Sequence, residues 1–203
     1  MKYELIDNHN LILATRVHLE IFPHECAYNC FKKSIEDNHH NYKYYLVYKD
    51  TVIIGVTGLY IDYKYDDTIW LGWYGVLEEY RLHGFGKQIF LDTLEMAKEW
   101  GKARNIKTFR LYTSFDDNKI AQIIYKNYMD ISETYNNQDD INYNNTCLIY
   151  SKSLVPNRKV LLWNNKNINL KDGEKMIFDG LKQFIELTDG DIHIKISSTG
   201  EVF

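Results

Sequence analysis

The stretch Leu71-Gly72-Trp73-Tyr74-Gly75-Val76-Leu77-Glu78-Glu79-Tyr80-Arg81-Leu82-His83-Gly84-Phe85-Gly86-Lys87 reads as an apolar strand that turns sharply into a helix opened by glycines. Phe85, Ile89, Phe90, Leu94 and Ala97 recur at helical intervals, so the helix starts at the glycines and buries one face. The first amides of a helix have no internal partner and carry the positive end of its dipole. Residues without side chains there let an anion approach the bare N–H groups, and pyrophosphate is the natural guest. Gly84-Phe85-Gly86-Lys87-Gln88 has neither the third glycine of a dinucleotide fingerprint nor the Gly-x4-Gly-Lys-Ser/Thr of a nucleotide-triphosphatase loop, so both are set aside.

Downstream, Gly101 supplies a helix stop signal, and the run from Thr108 to Thr113 alternates as a strand. The resulting strand, helix, strand unit makes its two strands parallel, with a right-handed crossover expected. That places the cradle at the carboxyl end of the sheet, where ligands of open α/β sheets bind. Asp116-Asp117-Asn118 is a helix-start signal, and Ile120, Ala121, Ile124 and Tyr125 form the predicted apolar face of a short helix. Met129 to Tyr135 and Thr146 to Leu154 read as two closing strands around the polar stretch Asn136 to Asn145.

Upstream, Tyr3 to Ile6 reads as a first strand. Leu11 to Phe22 is a helix with Leu11, Ala14, Val17, His18 and Ile21 inward, ended by Pro23. Ala27, Phe31 and Ile35 predict a second short helix. Tyr44 to Tyr48 and Val52 to Tyr60 form an antiparallel pair, Asp62 to Thr68 a charged loop, and Ile69 to Val76 one strand in which Gly72 and Gly75 mark close backbone approach.

Arg81-x-x-Gly84-x-Gly86 after the apolar Val76 resembles the coenzyme segment of the GNAT (GCN5-related N-acetyltransferase) superfamily. Asn118-x-x-Ala121-x-x-x-Tyr125 resembles a second segment of the same superfamily, in the correct order. The resemblance covers residues 1–154 in element order, and its motif-level support rests on residues 76–87 and 118–125. Met129 departs from it, standing where the family usually ends this helix with glycine.

The resemblance implies an α/β (α+β) fold with a mixed, mostly antiparallel central sheet and flanking helices, and a strand splayed from its neighbour by a bulge. It implies an acetyltransferase domain over residues 1–154. The activity it implies is direct transfer, in a ternary complex, of an acetyl group from acetyl-CoA, as co-substrate, to an amine of a small-molecule acceptor. Pyrophosphate then lies on the amides of Leu82, His83, Gly84, Phe85, Gly86 and Lys87, with charge from Arg81 and Lys87 and a further coenzyme contact at Asn118. The Val76 amide is the implied oxyanion donor. Tyr125 is the implied proton donor to the departing thiolate, a role that a phenol of pKa near 10 suits. His24, Glu25 and Tyr28 belong to the helical pair that borders the acceptor in the family, and are read either as acceptor contacts or as surface filling. Some relatives carry a glutamate base at a place that aligns near Thr113, which cannot act as one. Asp62, Glu78 and Asp116 are the other carboxylates in reach, and no base is assigned. Two alternatives stand beside this reading: a non-catalytic acyl-CoA-binding sensor or interaction module, and acetylation of a protein amino group.

Composition fits this picture. With 203 residues, 45% of them hydrophobic, the chain can hold one sizeable domain and a small appendage. A net charge of −4 argues against a nucleic-acid partner and mildly favours cationic or neutral small substrates. No apolar run approaches the roughly 20 residues that cross a bilayer, so no membrane association is expected. The start Met1-Lys2-Tyr3-Glu4 lacks a secretory core and the three cysteines make no disulfide framework, which together predict a cytoplasmic protein. Cys26 and Cys30 stand one helical turn apart near His24, but no second pair completes a four-ligand site, and no metal is expected. Residues 155–203 read as a small α/β extension: Val160 to Trp163 strand-like, Ile177, Leu181, Phe184 and Ile185 on one helical face, Ile192 to Ile196 a strand. Its apolar face requires a partner, either the main domain or a second subunit, so a homodimer is one expectation.

Overall fold

The computed structural model describes residues 1–23, 25–62, 65–114, 118–136, 146–160, 162–163, 185–189 and 192–196. Its elements are β1 (Lys2–Leu5), α1 (Leu11–Ile21), α2 (Tyr28–Glu36), β2 (Tyr42–Lys49), β3 (Val52–Asp62), β4 (Tyr65–Leu71), β5 (Gly75–Val76), α3 (Phe85–Arg104), β6 (Thr108–Ser114), α4 (Lys119–Tyr128), β7 (Ile131–Asn136), β8 (Thr146–Ser153), β9 (Ile185–Asp189) and β10 (Ile192–Ile196). The fold is mixed α/β with a mostly antiparallel central sheet. Two compact units are distinguished. The first holds Met1–Gly58, Trp73–Ile89 and the C-terminal strands; the second holds Leu59–Gly72 and the described residues from Phe90 to Trp163.

In the first unit the strand order is β1-β2-β3, with β5 paired to β3. Leu46 and Val47, adjacent on β2, enter different cores, as strand alternation requires. Leu46 joins Leu11, Ala14, Val17, Ile21 and Phe31 under α1 and α2, together with Val56 and Leu77. Val47 joins Ile54, Val76 and Ile89, with Phe85 packed against them, under the start of α3. The β9–β10 hairpin is antiparallel.

In the second unit the order is β3-β4-β6-β8-β7, and β4 with β6 is its parallel pair. Phe90 on α3 packs against Phe109, Tyr125 and Tyr128, and Tyr125 against Tyr150. Arg110 and Ser151, one residue along from Phe109 and Tyr150, alternate to the other face of the sheet, where the guanidinium donates to the serine hydroxyl. Trp163 covers that face, edge-on to Trp70 at 4.9 Å and over Arg110 at 5.3 Å, while its backbone N–H donates to the Glu133 carboxylate at 2.7 Å.

Several expectations are corrected. The strand expected over Ile69 to Val76 is two strands, because the chain breaks at Gly72-Trp73-Tyr74 and re-pairs with β3 only at Gly75 and Val76. The charged loop expected from Asp62 to Thr68 is largely strand: pairing of β4 with β3 at Tyr65, Trp70 and Leu71 and with β6 from Thr68 to Trp70 outweighs the poor strand propensity of Asp66 and Asp67. Gly101 does not stop α3. The stop is at Asn105, at φ 57°, with Ile106 N–H reaching back to the Gly101 carbonyl at 2.8 Å, so that asparagine fills the left-handed position usually given to glycine. Ile120 is 64% exposed, and Gln122 takes the buried place on α4, donating to the Ser114 carbonyl. Ile185 opens a strand instead of closing a helical face, and Val160 and Trp163 are not in a strand. Residues 115–117, 137–145, 161, 177, 181 and 184, where parts of these expectations fall, lie outside the described residues.

Gly55 lets β5 approach. A Cβ there would overlap the Gly75 carbonyl oxygen and lie 3.2 Å from the Val76 Cα, both backbone, so nothing flexible can yield. Gly55→Ala should lower stability by about 2 kcal/mol or more in urea unfolding, whereas Gly84→Ala, which meets open space, should cost only about 1 kcal/mol of backbone strain. Equal stability of Gly55→Ala and the parent protein would contradict this placement of β5.

Candidate active site

The pairing of β5 with β3 decides what the cradle strand offers. Gly55 faces Val76 and Val56 faces Gly75, and the Leu77 N–H bonds the Ile54 carbonyl at 3.0 Å. In an antiparallel ladder hydrogen-bonded and non-bonded pairs alternate, so the Leu77 bond makes Gly55–Val76 a non-bonded pair. The N–H and C=O of Val76 therefore both point away from β3. The carbonyl receives the Arg81 Nε–H at 3.0 Å, and the amide sits on that same outward edge.

After Val76 the chain makes a single 3-10 turn, Glu78 to Tyr80, and enters a loop in which Leu82 (φ 64°) and Gly84 (φ 83°) are both left-handed. Arg81 before them is extended (φ −70°, ψ 160°), and turns built on left-handed residues gather neighbouring N–H groups into anion-binding concavities, or nests. Leu82 holds this conformation without glycine's freedom and projects its side chain outward, 87% exposed. The first helical bond of α3 runs from Gln88 N–H to the Gly84 carbonyl, so the amides of Phe85, Gly86 and Lys87 precede it in the first turn. The Tyr74 hydroxyl donates to the Gly86 carbonyl at 2.7 Å and ties the helix start to the strand break; burial pushes this phenol well above its ordinary value. The His83 imidazole lies parallel to the Phe85 ring at 6.0 Å. Val76 and the segment Arg81, Leu82, His83, Gly84, Phe85, Gly86 and Lys87 thus share one unit. The Tyr74 and Arg81 braces are contacts that the sequence pattern does not mark.

Asn118 and Tyr125 belong to the other unit. Asn118 stands at the N-cap of α4 in a left-handed conformation (φ 57°), and its side chain makes no capping bond, so it is an exposed amide at the helix start. Tyr125 is buried, its ring against Phe90 at 5.4 Å and Tyr150 at 5.5 Å. Met129 leaves the helix in an extended conformation (φ −94°, ψ 156°), which explains why no glycine is needed there. Thr113 is buried and paired with Leu148. Glu25 and Glu78 are exposed, Tyr28 packs against the α1/α2 core, and Asp62 ends β3. His24 and Asp116 lie outside the described residues. Among the described residues no group of three metal-ligating side chains forms, and burial pushes the Cys26 thiol up to about 11.

A model of the acetyltransferase (GNAT) family matches residues 9–129, more than half of the chain. The chain belongs to this family. Solved structures agree at the level of fold. The ribosomal-protein-S18-alanine N-acetyltransferase of Escherichia coli superposes with a TM-score of 0.58 at 12% identity, over 80% of this chain and 99% of that one. A chimera built on the spermidine N-acetyltransferase of Vibrio cholerae gives 0.60 at 14% identity, over 76% and 97%. A Bacillus subtilis acetyltransferase in complex with CoA gives 0.52 at 19% identity, over 76% and 99%. No curated protein matches the sequence.

One ionisable side chain of this GNAT chain stands out for its surroundings. His18 is fully buried on α1 among Phe22, Phe31 and Trp73, and burial alone lowers its pKa from 6.5 to about 3. The folded state thus resists a proton that the unfolded chain accepts below about 6.5, so the unfolded state binds more protons as pH falls from 6.5 toward 3 and stability falls with it. Between pH 7 and pH 5 this should remove roughly 2 kcal/mol. His18→Phe should lose that part of the pH dependence while the other histidines contribute to both proteins alike. Urea unfolding at the two pH values tests it, and the same pH dependence in both proteins would refute it.

Proposed function

We propose that this GNAT chain binds acetyl-CoA on the nest and transfers its acetyl group to the amine of a small molecule by direct attack. The observation that carries the reading is the paired arrangement of the outward-facing Val76 amide and the left-handed Leu82 and Gly84 loop at the start of α3. Pyrophosphate takes the amides from Leu82 to Lys87, and the Lys87 side chain adds charge, while Arg81, tied to the Val76 carbonyl, adds charge beside the strand edge. A thioester carbonyl aligned on the Val76 N–H acquires an oxyanion donor that needs no reorganisation as the tetrahedral intermediate forms. Asn118 is assigned a coenzyme contact. Tyr125 is assigned as the acid that protonates the leaving thiolate. A net charge of −4 supports a cationic small-molecule amine as acceptor; relatives of this fold act on spermidine and on a ribosomal protein. We assign the acetyltransferase domain to residues 1–154 and an extension to residues 155–203.

Two variants test the assignment. The Gly86 Cα faces the Tyr74 hydroxyl and Val76, where an added Cβ would stand 3.3 Å and 3.7 Å away. The branched side chain of Gly86→Val would crowd the Tyr74 hydroxyl and stand beside the first-turn amides, and calorimetry should show acetyl-CoA bound more than about tenfold more weakly with melting temperature little changed. Unchanged affinity in a folded variant would reject the cradle. Tyr125→Phe keeps the ring against Phe90 and Tyr150 but removes the proton, so kcat should fall roughly 10²-fold with coenzyme affinity unchanged. Full turnover by the Phe variant would remove Tyr125 from the mechanism.

A further inference from the structure

His18 has a second property that its burial makes costly: neither Nδ1 nor Nε2 has a hydrogen-bond partner among the described residues. A buried polar group left without a partner is destabilising, and an apolar side chain of similar shape is neutral or better in its place. Phenylalanine would fill this aromatic setting, so packing does not account for an imidazole here.

Its position does offer an account. The Trp73 ring stands edge-on to His18 at 4.4 Å and the Phe22 ring tilts against it at 4.9 Å; both rings are half-exposed, and they lie 5.5 Å from each other. A Cβ on Gly75 would overlap Ile21 and lie 3.0 Å from the Phe22 ring, so the end of α1 is pressed onto the residue directly before Val76. His18, Phe22, Trp73, Gly75 and Val76 all belong to the first unit. A neutral imidazole thus sits behind two aromatic rings, one on Trp73, three residues before Val76, and the other on Phe22, which presses on Gly75.

We propose that His18 accepts a hydrogen bond from the attacking amine, and that Phe22 and Trp73 form the walls of an alkylamine subsite. This rests on the acetyl-transfer reading. The amine gives up its ammonium proton to solvent and enters neutral, and the faces of Phe22 and Trp73 shelter its carbon chain. As the amine enters, these half-exposed rings shift, and the imidazole, neutral because its site excludes charge, accepts the amine N–H on its unprotonated nitrogen. That bond fixes the nitrogen beside an acyl carbon whose oxygen rests on Val76, which lowers the entropic barrier to attack. The walls bring few polar partners for hydroxyl groups, so a linear alkylamine is preferred to an amino sugar.

The test compares the parent protein with His18→Phe and His18→Gln, using n-butylamine, spermidine and glucosamine as acceptors at saturating acetyl-CoA. The alkylamines should be used in preference to glucosamine. His18→Phe should raise the alkylamine KM about tenfold, leave the acetyl-CoA KM and its calorimetric Kd unchanged, and melt at or above the parent temperature. Gln, which keeps a hydrogen-bond acceptor, should recover part of the loss. An unchanged amine KM in the Phe variant would overturn the inference, as would a parallel rise of both KM values with a lower melting temperature. If the parent acetylates none of the three, calorimetry of n-butylamine into the CoA-loaded protein decides. Binding weakened by His18→Phe would sustain the subsite while the transfer reading fails, and absence of binding to the parent would overturn the subsite.

Discussion

Everything proposed for the site depends on one backbone pairing, Val76 against Gly55. Because the neighbouring pair, Leu77 with Ile54, is the hydrogen-bonded one, both polar groups of the Val76 peptide unit are turned off the ladder. One of them, the carbonyl, is taken by Arg81, which fixes where the following loop begins. The pairing in turn requires a residue without a side chain at position 55, and it is held from the other side by Ile21 and Phe22 of α1, which leave no room for a Cβ on Gly75. The strand edge, the anion nest and the aromatic wall are therefore consequences of the same two-residue strand.

The nest itself combines chain geometry with strain. Gly84 accepts its positive φ freely, but Leu82 does not, and a leucine held left-handed and exposed is a local cost of order 1 kcal/mol that the surrounding braces maintain. Tyr74, through the Gly86 carbonyl, and Arg81, through the Val76 carbonyl, are those braces. Two polar side chains of the first unit thus contrast: half-buried Tyr74 donates to the Gly86 carbonyl, while fully buried His18 has no hydrogen-bond partner among the described residues.

Much of this was legible in the sequence where periodicity is long. The apolar spacing from Phe85 to Ala97 located α3, the alternation from Thr108 located β6, and the strand-helix-strand order implied the parallel pairing of β4 with β6. Short-range signals were less informative because neighbours decide them. The break at Gly72-Trp73-Tyr74 follows from the register with β3, which no local pattern carries. Asp66 and Asp67 are in a strand because the residues around them are paired, Tyr65, Trp70 and Leu71 with β3 and Thr68 to Trp70 with β6. Gly101 resembled a terminator, yet it is there because the Ile106 carbonyl lies 2.7 Å from where its Cβ would be. On α1 the helical spacing correctly placed His18 inward, but the absence of partners for its nitrogens among the described residues could only be seen once Phe22, Phe31 and Trp73 were placed around it.

The central claim is acetyl transfer from acetyl-CoA to an amine, and it is tested most directly by following free thiol release and acceptor mass together, with the purified chain, acetyl-CoA and a panel of amines. The account predicts that thiol appears only when a productive amine is present, in one-to-one proportion with an acceptor heavier by one acetyl group. Thiol release that is independent of amine, or coenzyme binding without any acetylated acceptor across small amines and peptide amino termini, would contradict it.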